Sequence, residues 1–248
     1  MNPVLLVTGG SRGIGAATAR AAAARGWDVA VNYARDAAAA QAVAAEVRSL
    51  GRRAWTLQAD VADDAQVRAL FSALDREAGG LSGLVNSAGV VDVAARVDEM
   101  SAERVARMFA INVLGSFACA REALRRMSRR HGGAGGAIVN VSSVAATLGS
   151  PAQYVDYAAS KAAVDTFTVG LAREVAAEGV RVNAVRPGII DTEIHASGGQ
   201  PDRARRLAAS VPMQRPGRAD EVAAAIVWLL SDEAAYTTGA LLDVSGGR

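Results

Sequence analysis

The chain has 248 residues, of which 51% are hydrophobic and 21% are charged, and its formal net charge is +2. This length accommodates one large domain or two small ones with a sizeable core. The small net charge, and the lack of a basic run interleaved with aromatic side chains, argue against a nucleic-acid partner. No apolar run approaches the roughly 18 residues that cross a bilayer, so we expect no membrane partner.

Short apolar runs alternate with longer helical patterns along the whole chain. The runs predict strands at 3–8, 29–33, 54–58, 84–86, 138–141, 181–185 and 241–244. The helical patterns predict helices that end near 25 or span about 37–50, 65–78, 102–130 and 155–178. Continuous apolar strands are typical of strands buried on both faces, and the alternation indicates a parallel sheet. We predict an α/β fold: one doubly wound Rossmann domain over 1–248, with a central parallel sheet of about seven strands and helices on both faces.

Residues 190–218 contain a helical pattern between Gly- and Pro-containing hinges. This arrangement predicts a mobile lid over the substrate, and the alternative is an ordinary surface excursion. The arginines of this segment, Arg203, Arg205 and Arg206, could contact an acidic substrate. A solvated helix face is the favoured interpretation of these three side chains.

A single cysteine, Cys119, and two separated histidines, His131 and His195, limit the chemistry of the chain. One thiol cannot form an internal disulfide, which is typical of proteins of the reducing cytoplasm. The first residues lack the basic segment and the long apolar stretch of a signal peptide. We therefore expect a cytoplasmic protein without a metal site.

A glycine-rich segment, Thr-Gly-Gly-Ser-Arg-Gly-Ile-Gly at 8–15, follows the first strand and opens the first helix. Glycine lets the backbone turn sharply and approach a pyrophosphate, which the N-terminus of the following helix attracts. The spacing differs from G-x-G-x-x-G, but the position between strand and helix predicts a dinucleotide-binding loop. No Gly-Lys-Ser/Thr follows, so the segment is not a Walker loop.

The second strand ends in Asn32-Tyr33-Ala34-Arg35. A carboxylate here would hold the ribose hydroxyls of the adenosine and favour NAD, and none is present. Arg12 and Arg35 can instead meet a 2′-phosphate. These residues predict NADP (NADPH) as the cofactor, with NAD less favoured.

Lys161 is the only lysine among the 27 Lys and Arg residues of the chain. Tyr157 precedes it by four residues, so the two side chains share a face of a predicted helix. Ser142 and Ser143 end an apolar run that leads into this helix. Because ligands bind at the carboxyl ends of parallel strands, Ser143, Tyr157 and Lys161 are expected to meet there. A planar guanidinium would not replace the compact ammonium in such a site.

These residue types predict acid–base chemistry. A free tyrosine has a pKa of about 10, and a nearby ammonium and a cationic nicotinamide would lower that pKa. Tyr157 would then act as a general acid or base near neutral pH. Ser143 would hydrogen-bond the substrate oxygen and stabilise the charge that develops there, while the cofactor supplies the hydride.

Together these motifs resemble those of the short-chain dehydrogenase/reductase family over essentially the whole chain. They comprise Thr-Gly-x3-Gly-x-Gly at 8–15, Asp60-Val61, Asn86-Ser87-Ala88-Gly89, Asn112, the serine strand, Tyr157-x3-Lys161, and Pro187-Gly188 with Thr192. The resemblance implies that Asn112 anchors a water in a proton relay with Lys161 and that Asp60 and Val61 flank the adenine. It also implies that residues 187–192 line the nicotinamide and that the protein is a homotetramer.

The resemblance implies an NADP-dependent oxidoreductase that transfers a hydride between nicotinamide and a small-molecule carbonyl or alcohol substrate. The expected catalytic residues are Asn112, Ser143, Tyr157 and Lys161. The expected cofactor contacts are Gly9, Ser11, Arg12, Gly13, Ile14, Gly15, Asn32, Tyr33, Ala34, Arg35, Asp60, Val61, Asn86, Ala88, Gly89, Tyr157, Lys161, Pro187, Gly188, Ile190 and Thr192.

Two other functions are compatible with the same fold. One is a catalytically silent cofactor-sensing or scaffold protein, against which the presence of Tyr157 and Lys161 argues. The other is an epimerase or dehydratase, which usually adds a larger C-terminal substrate domain. The substrate stays open among a sugar, a 3-oxoacyl thioester, a quinone and a small ketone. The Ser143–Tyr157 loop and the Val-Asn-Tyr at 31–33 resemble the glucose-dehydrogenase-like branch more than the 3-oxoacyl-carrier-protein reductases.

Overall fold

A parallel sheet of seven strands forms the centre of the computed structural model, which describes residues 2–248. The strands of the chain are β1 (Val4–Thr8), β2 (Asp28–Tyr33), β3 (Ala54–Gln58), β4 (Gly83–Asn86), β5 (Gly136–Val141), β6 (Val180–Pro187), β7 (Ile190–Asp191), β8 (Gly217–Arg218) and β9 (Leu241–Val244). The sheet order is β3-β2-β1-β4-β5-β6-β9, and every pairing is parallel. The predicted doubly wound α/β fold is confirmed.

Helices cover both faces of the sheet. They are α1 (Gly13–Ala24), α2 (Ala37–Ser49), α3 (Asp64–Ala78), α4 (Ala102–Phe109), α5 (Gly115–Met127), α6 (Ala145–Leu148), α7 (Val155–Val175), α8 (Ile194–Ser197), α9 (Arg203–Arg206) and α10 (Ala219–Leu230). One buried cluster joins the sheet to α1, α2 and α10, and a second joins its other face to α3, α5 and α7. Strands such as β1, buried along their whole length, are apolar throughout because both faces are covered.

The predicted helix over 102–130 is interrupted in the structure. A π-helical turn, Ala110–Leu114, separates α4 from α5. Such single turns are frequent at functional sites, since the extra residue re-aims a side chain. The helix predicted over 155–178 ends at Val175 and continues as a 3₁₀ turn, Ala176–Glu178.

The segment 190–218 differs from the single predicted helix. It contains the short helices α8 and α9 and a 3₁₀ turn, Ala208–Ser210. Its two ends are joined by the parallel pairing of β7 with β8. The segment therefore leaves the central sheet as one long insertion whose two ends lie side by side. Within residues 2–248, no helix has the length and apolarity that a membrane crossing requires.

The strand order reverses between β1 and β4, which are neighbours in the sheet. Successive crossovers leave this point toward opposite faces, so a crevice opens at the carboxyl ends of the two strands. The register places Thr8 beside Asn86, and Asn86 beside Asn140. The predicted site residues follow these strand ends, so the topology gathers them at one edge.

Candidate active site

Thr8 connects the two loops that border the crevice. Its hydroxyl accepts hydrogen bonds from the backbone N–H groups of Ser87 at 3.0 Å and Ala88 at 3.1 Å. The same hydroxyl donates to the carbonyl of Val85 at 3.3 Å. The glycine-rich loop after β1 and the Asn86–Gly89 segment after β4 are thereby held against each other.

The glycine-rich loop is too tightly folded for side chains at two of its positions. Gly9 has a φ of +61°, and a Cβ atom on it would lie 2.8 Å from the Cα of Ala88. A Cβ atom on Gly15 would lie 2.4 Å from the carbonyl oxygen of Gly9. Real Cβ atoms do not approach backbone this closely, so glycine is required at both positions.

The N-terminus of α1 fits an anion. Arg12 is its N-cap residue and provides no side-chain hydrogen bond to the first turn, which contains no acidic residue. The free N–H groups and the helix dipole of such a terminus favour negative charge. Thr192 lies across from it, because a Cβ atom on Gly13 would be 3.6 Å from the Thr192 side chain. The predicted phosphate loop and the predicted nicotinamide segment therefore face each other.

The residues predicted around the adenosine separate into two groups. Arg12, Arg35 and Asp60 are exposed and Tyr33 is partly buried, so their side chains are accessible to a ligand. Asn32 is 1% exposed, and its amide is used entirely within the protein. It donates to the carbonyls of residues 57 and 59, each at 3.1 Å, and accepts from the N–H of residue 9 at 3.3 Å. Its side chain supports the glycine-rich loop and does not face a ligand.

Asn86 belongs to a buried polar network behind the site. Its amide nitrogen donates to Asn140 Oδ1 at 2.9 Å, and Asn140 donates to Thr168 Oγ1 at 2.8 Å. Asn86 Oδ1 is buried and has no hydrogen-bond partner among the described residues. The network joins β4, β5 and α7, so it fixes the helix that carries Tyr157 and Lys161.

Asn112 lies in the π-helical turn and bonds to the segment after β4. Its Oδ1 accepts from the N–H of Val90 at 2.8 Å, and its Nδ2 donates to the carbonyl of Val90 at 3.1 Å and to Ser160 Oγ at 3.1 Å. A Cβ atom on Gly89 would lie 3.4 Å from Asn112 Oδ1 and 3.5 Å from Lys161 Nζ. The structure therefore places Asn112 and Lys161 against the same glycine.

Ser143 and Tyr157 line one cavity. Ser143 follows β5, and its hydroxyl accepts from the N–H of Ala145 at 3.1 Å, which fixes the oxygen. Tyr157 projects from the first turn of α7 and is partly buried. The two predicted residues come from the carboxyl end of a strand and from the helix that follows it, as the parallel topology requires.

Lys161 is buried below the tyrosine, with 5% of its surface exposed. Its Nζ donates to the carbonyl of Val141 at 2.7 Å and lies 5.6 Å from the centre of the Tyr157 ring. Ser142 Oγ donates to the Lys161 carbonyl at 3.1 Å, which ties α7 to the end of β5. The ammonium is therefore held at a defined distance from the phenol.

The pKa of Tyr157 differs from the lowered value expected from the sequence. Burial raises the pKa of the phenol, and the nearby Ser143 hydroxyl opposes this shift. The lowering expected from the sequence relied partly on the charge of a nicotinamide, which the protein itself does not supply. The protein's own groups therefore keep Tyr157 protonated at neutral pH, the state required of a proton donor.

The pKa of Lys161 makes stability depend on pH. Burial lowers this pKa from 10.5 to about 8, and Asp165 partly opposes the shift. Between these values the unfolded chain binds more protons than the folded chain, so the free energy of unfolding rises with pH. Relative to Lys161→Met, we expect the wild type to gain about 3 kcal/mol as the pH rises across this window. Urea unfolding of the two cofactor-free proteins at several pH values measures this difference in the free energy of unfolding. A difference that does not change with pH contradicts the prediction.

The cavity beside Ser143 and Tyr157 encloses about 100 Å³. Much of its wall is apolar and is formed by Val91, Val144, Ala145, Leu148, Ile189 and Ile194. The remaining lining residues are polar or charged: Ser150, Tyr154, His195, Arg203 and Arg248. Such a mixture of apolar walls and a few polar groups is typical of small-molecule sites. Arg203 therefore lines the cavity, whereas the favoured interpretation of the sequence placed it on a solvated helix face.

An ion pair that sequence reasoning missed supports the start of α7. Arg104 Nε donates to Asp156 Oδ2 at 2.8 Å, and Arg104 Nη1 donates to the carbonyl of Val93 at 2.6 Å. Asp156 Oδ1 accepts from the N–H of Tyr157 at 2.9 Å. The pair joins elements that are distant in sequence, so no local pattern reveals it. The one available signal is an acidic residue directly before the candidate tyrosine.

Comparison with known proteins agrees with this geometry. A family model described as enoyl-(acyl carrier protein) reductase matches residues 9–248. The uncharacterized oxidoreductase YgfF of Escherichia coli (strain K12) is 56% identical over 245 residues, which cover 99% of each chain. The fold is also shared with a short chain dehydrogenase from Burkholderia cenocepacia J2315 in complex with NADP, with a TM-score of 0.91 and 38% identity over 99% of this chain and 97% of that one.

A blue fluorescent protein from a metagenomic library, in complex with NADPH, gives a TM-score of 0.89 and 37% identity over 99% of this chain and 97% of that one. The family match, the whole-length identity and the shared fold confirm the resemblance inferred from the motifs. The chain belongs to the short-chain dehydrogenase/reductase family of NAD(P)-dependent oxidoreductases.

Proposed function

We propose that the protein is an NADP-dependent oxidoreductase that interconverts a carbonyl and an alcohol, with Tyr157 as its general acid and base. The observation that carries the proposal is the convergence of Ser143 and Tyr157 on one cavity, with Lys161 Nζ 5.6 Å from the phenol ring. This cavity lies at the sheet edge where the glycine-rich loop also ends.

The residues present fit a dinucleotide. The glycine-rich loop has no side chains at its tightest positions, so a ligand can approach the backbone there. This loop leads into the N-terminus of α1, which would hold the pyrophosphate. Arg12 is exposed in the glycine-rich loop and Arg35 is exposed after β2, where no carboxylate occupies the strand end that favours NAD. The relatives of known structure that contain NADP and NADPH support the phosphorylated cofactor. Thr192 and residues 187–190 would line the nicotinamide end.

The side chains have separate parts in the proposed reaction. The bound nicotinamide would supply or accept the hydride. In carbonyl reduction the Tyr157 hydroxyl donates a proton to the substrate oxygen, which Ser143 also hydrogen-bonds. The Lys161 ammonium stabilises the phenolate that remains. Asn112 lies against the same glycine as Lys161, which supports its place in a relay that returns a proton from solvent.

Three further properties belong to the proposal. Residues 190–218 form the lid, because Ile194, His195 and Arg203 contribute to the cavity wall.

The protein is a homotetramer, which is supported by apolar side chains exposed on α5 and the adjacent π-helical turn. Leu114 is 62% exposed and Phe117 is 47% exposed, and the Phe117 ring stacks on Phe167 of α7 at 3.7 Å. The third property is the location of the protein, which is the cytoplasm.

Replacing Arg35 with alanine tests the cofactor assignment. We expect the wild type to oxidise NADPH with at least tenfold higher kcat/KM than NADH, against a panel of ketones, aldehydes and quinones. Arg35→Ala is expected to reduce this preference about tenfold, the equivalent of about 1.4 kcal/mol of lost phosphate contact. The loss of reduced-nicotinamide absorbance measures the rates, and sugars and alcohols with NADP test the reverse direction.

Arg25→Ala is the matched control, because Arg25 is exposed at the opposite end of α1. It removes the same charge and should leave the cofactor preference unchanged. Equal use of NADH and NADPH by the wild type would contradict the assignment of NADP. NADPH binding without turnover of any compound would favour a catalytically silent cofactor-binding protein.

A further inference from the structure

The cavity next to Tyr157 has a cationic side. Arg203 and Arg248 both contribute to its lining, as does His195. The proximity of the two guanidinium groups is reflected in the pKa of Arg203: burial lowers it most, Tyr154 partly opposes the shift, and Arg206 and Arg248 lower it further. Arg203 also lowers the pKa of His195, after the larger effect of burial. Because the pKa of His195 is lowered, the positive charge at this wall of the cavity belongs to the guanidinium groups of Arg203 and Arg248.

Arg203 has only neutral partners among the described residues. Its Nη1 donates to Gln153 Oε1 at 2.9 Å and to Gln200 Oε1 at 3.4 Å, and its guanidinium lies 5.0 Å from the centre of the Tyr154 ring. Gln200 in turn donates to the Tyr154 hydroxyl at 2.6 Å and accepts from Arg206. These contacts orient the guanidinium but leave its charge uncompensated.

Four other shielded arginines of this chain are compensated. Arg104, Arg126 and Arg186 have side chains 13–19% exposed, and each forms an ion pair with a carboxylate. Arg181 lacks one but donates to four backbone carbonyls, three of them in residues 229–231 at the end of α10. Arg203 has neither arrangement. A partly buried cation without a counter-charge is unfavourable, so this position is suited to a ligand anion.

We propose that the substrate carries a carboxylate that Arg203 binds, so that the enzyme interconverts an oxo acid and a hydroxy acid. This inference rests on the proposed function. In reduction the carbonyl carbon gains a hydride from NADPH and its oxygen gains the Tyr157 proton, while the carboxylate stays unchanged. The planar guanidinium fork matches two carboxylate oxygens. The apolar walls between the two ends accept the hydrocarbon part of the substrate.

Matched neutral compounds test this proposal. We use 4-oxopentanoate, 5-oxohexanoate and 4-acetylbenzoate, each paired with its methyl ester, which retains the ketone and loses the charge. For at least one pair the wild type is expected to prefer the acid by about tenfold or more in kcat/KM. Arg203→Gln is expected to abolish this preference through a higher KM for the acid, while turnover of the ester and the affinity for NADPH are retained.

Arg205→Gln is the matched control, because Arg205 lies on the same short helix and is exposed. It should leave the preference unchanged. Calorimetric titration of the NADP-loaded enzyme with each acid and ester gives a readout that does not need turnover. Acids that bind the wild type about tenfold more tightly than Arg203→Gln support the proposal.

Equal binding of acids and esters, or an equal loss of both in Arg203→Gln, overturns the carboxylate proposal. Ester turnover in that case leaves the proposed function intact. Tight binding of acids without turnover of any ketone or alcohol gives the opposite result, because it supports the anion site and contradicts the oxidoreductase activity. The two proposals therefore fail in different measurements.

Discussion

Tyr157→Phe is expected to lower kcat by about 10³-fold or more, because removing a positioned general acid commonly costs 10²–10⁴-fold. The ring keeps its place in the first turn of α7, and only the hydroxyl is lost. That hydroxyl is the group beside Ser143 and the proposed source of the substrate proton. The affinity for NADPH should change by no more than about twofold, since phosphate binding involves the glycine-rich loop and α1. Steady-state rates and NADPH fluorescence titration measure the two effects separately.

Tyr236→Phe provides the control for this result. Tyr236 is fully exposed in the chain described here, so the same loss of a hydroxyl should leave kcat unchanged. Retention of more than about a tenth of the wild-type rate by Tyr157→Phe would exclude this phenol as the general acid. The reaction would then need another proton donor at the cavity. His195, which also lines the cavity, would be the next candidate.

Local patterns predicted much of the geometry of this candidate site because many of its residues lie at short spacings in the chain. The glycine-rich loop lies within eight residues, and the tyrosine and lysine lie one helical turn apart. Strand alternation then predicts the sheet edge at which Ser143 meets them. The structure places these residues together for the same reasons: a tight loop at Gly9 and Gly15, and a helix that begins next to the end of β5.

The features that the sequence did not reveal depend on contacts between distant segments. Nothing near Arg203 in the chain indicates that it packs on Tyr154, and an arginine in a short basic run resembles a solvated residue. The position of Asn32 likewise predicted a ligand contact, but its burial directs the amide to carbonyls of the neighbouring strand end. The helical periodicity of the sequence does not reveal the π-helical turn that contains Asn112. The pKa of Tyr157 depends on burial, which no spacing gives.

The fit of Lys161 explains why one lysine persists in a chain that otherwise uses arginine. Its Nζ is surrounded by the carbonyl of Val141, the Tyr157 ring and the backbone of Gly89. The group is nearly inaccessible, with 5% of the residue exposed. A guanidinium is wider and planar, and it spreads its charge over three nitrogens. The same pocket therefore cannot accept it without moving the tyrosine or the loop after β4.

Lys161→Arg is therefore expected to lower kcat by about 10²-fold or more, although it keeps the positive charge. Lys161→Met separates the two causes, because it removes the charge and leaves a side chain that fits. If shape decides, the arginine variant will show a lower melting temperature as well as the lower rate, whereas the methionine variant will lose the rate alone. Arg173→Lys, at an exposed position in the last turn of α7, controls for exchanges between these residue types. A near-normal rate for Lys161→Arg would show that the site needs only a positive charge, and the compact ammonium would then have no special place in the mechanism.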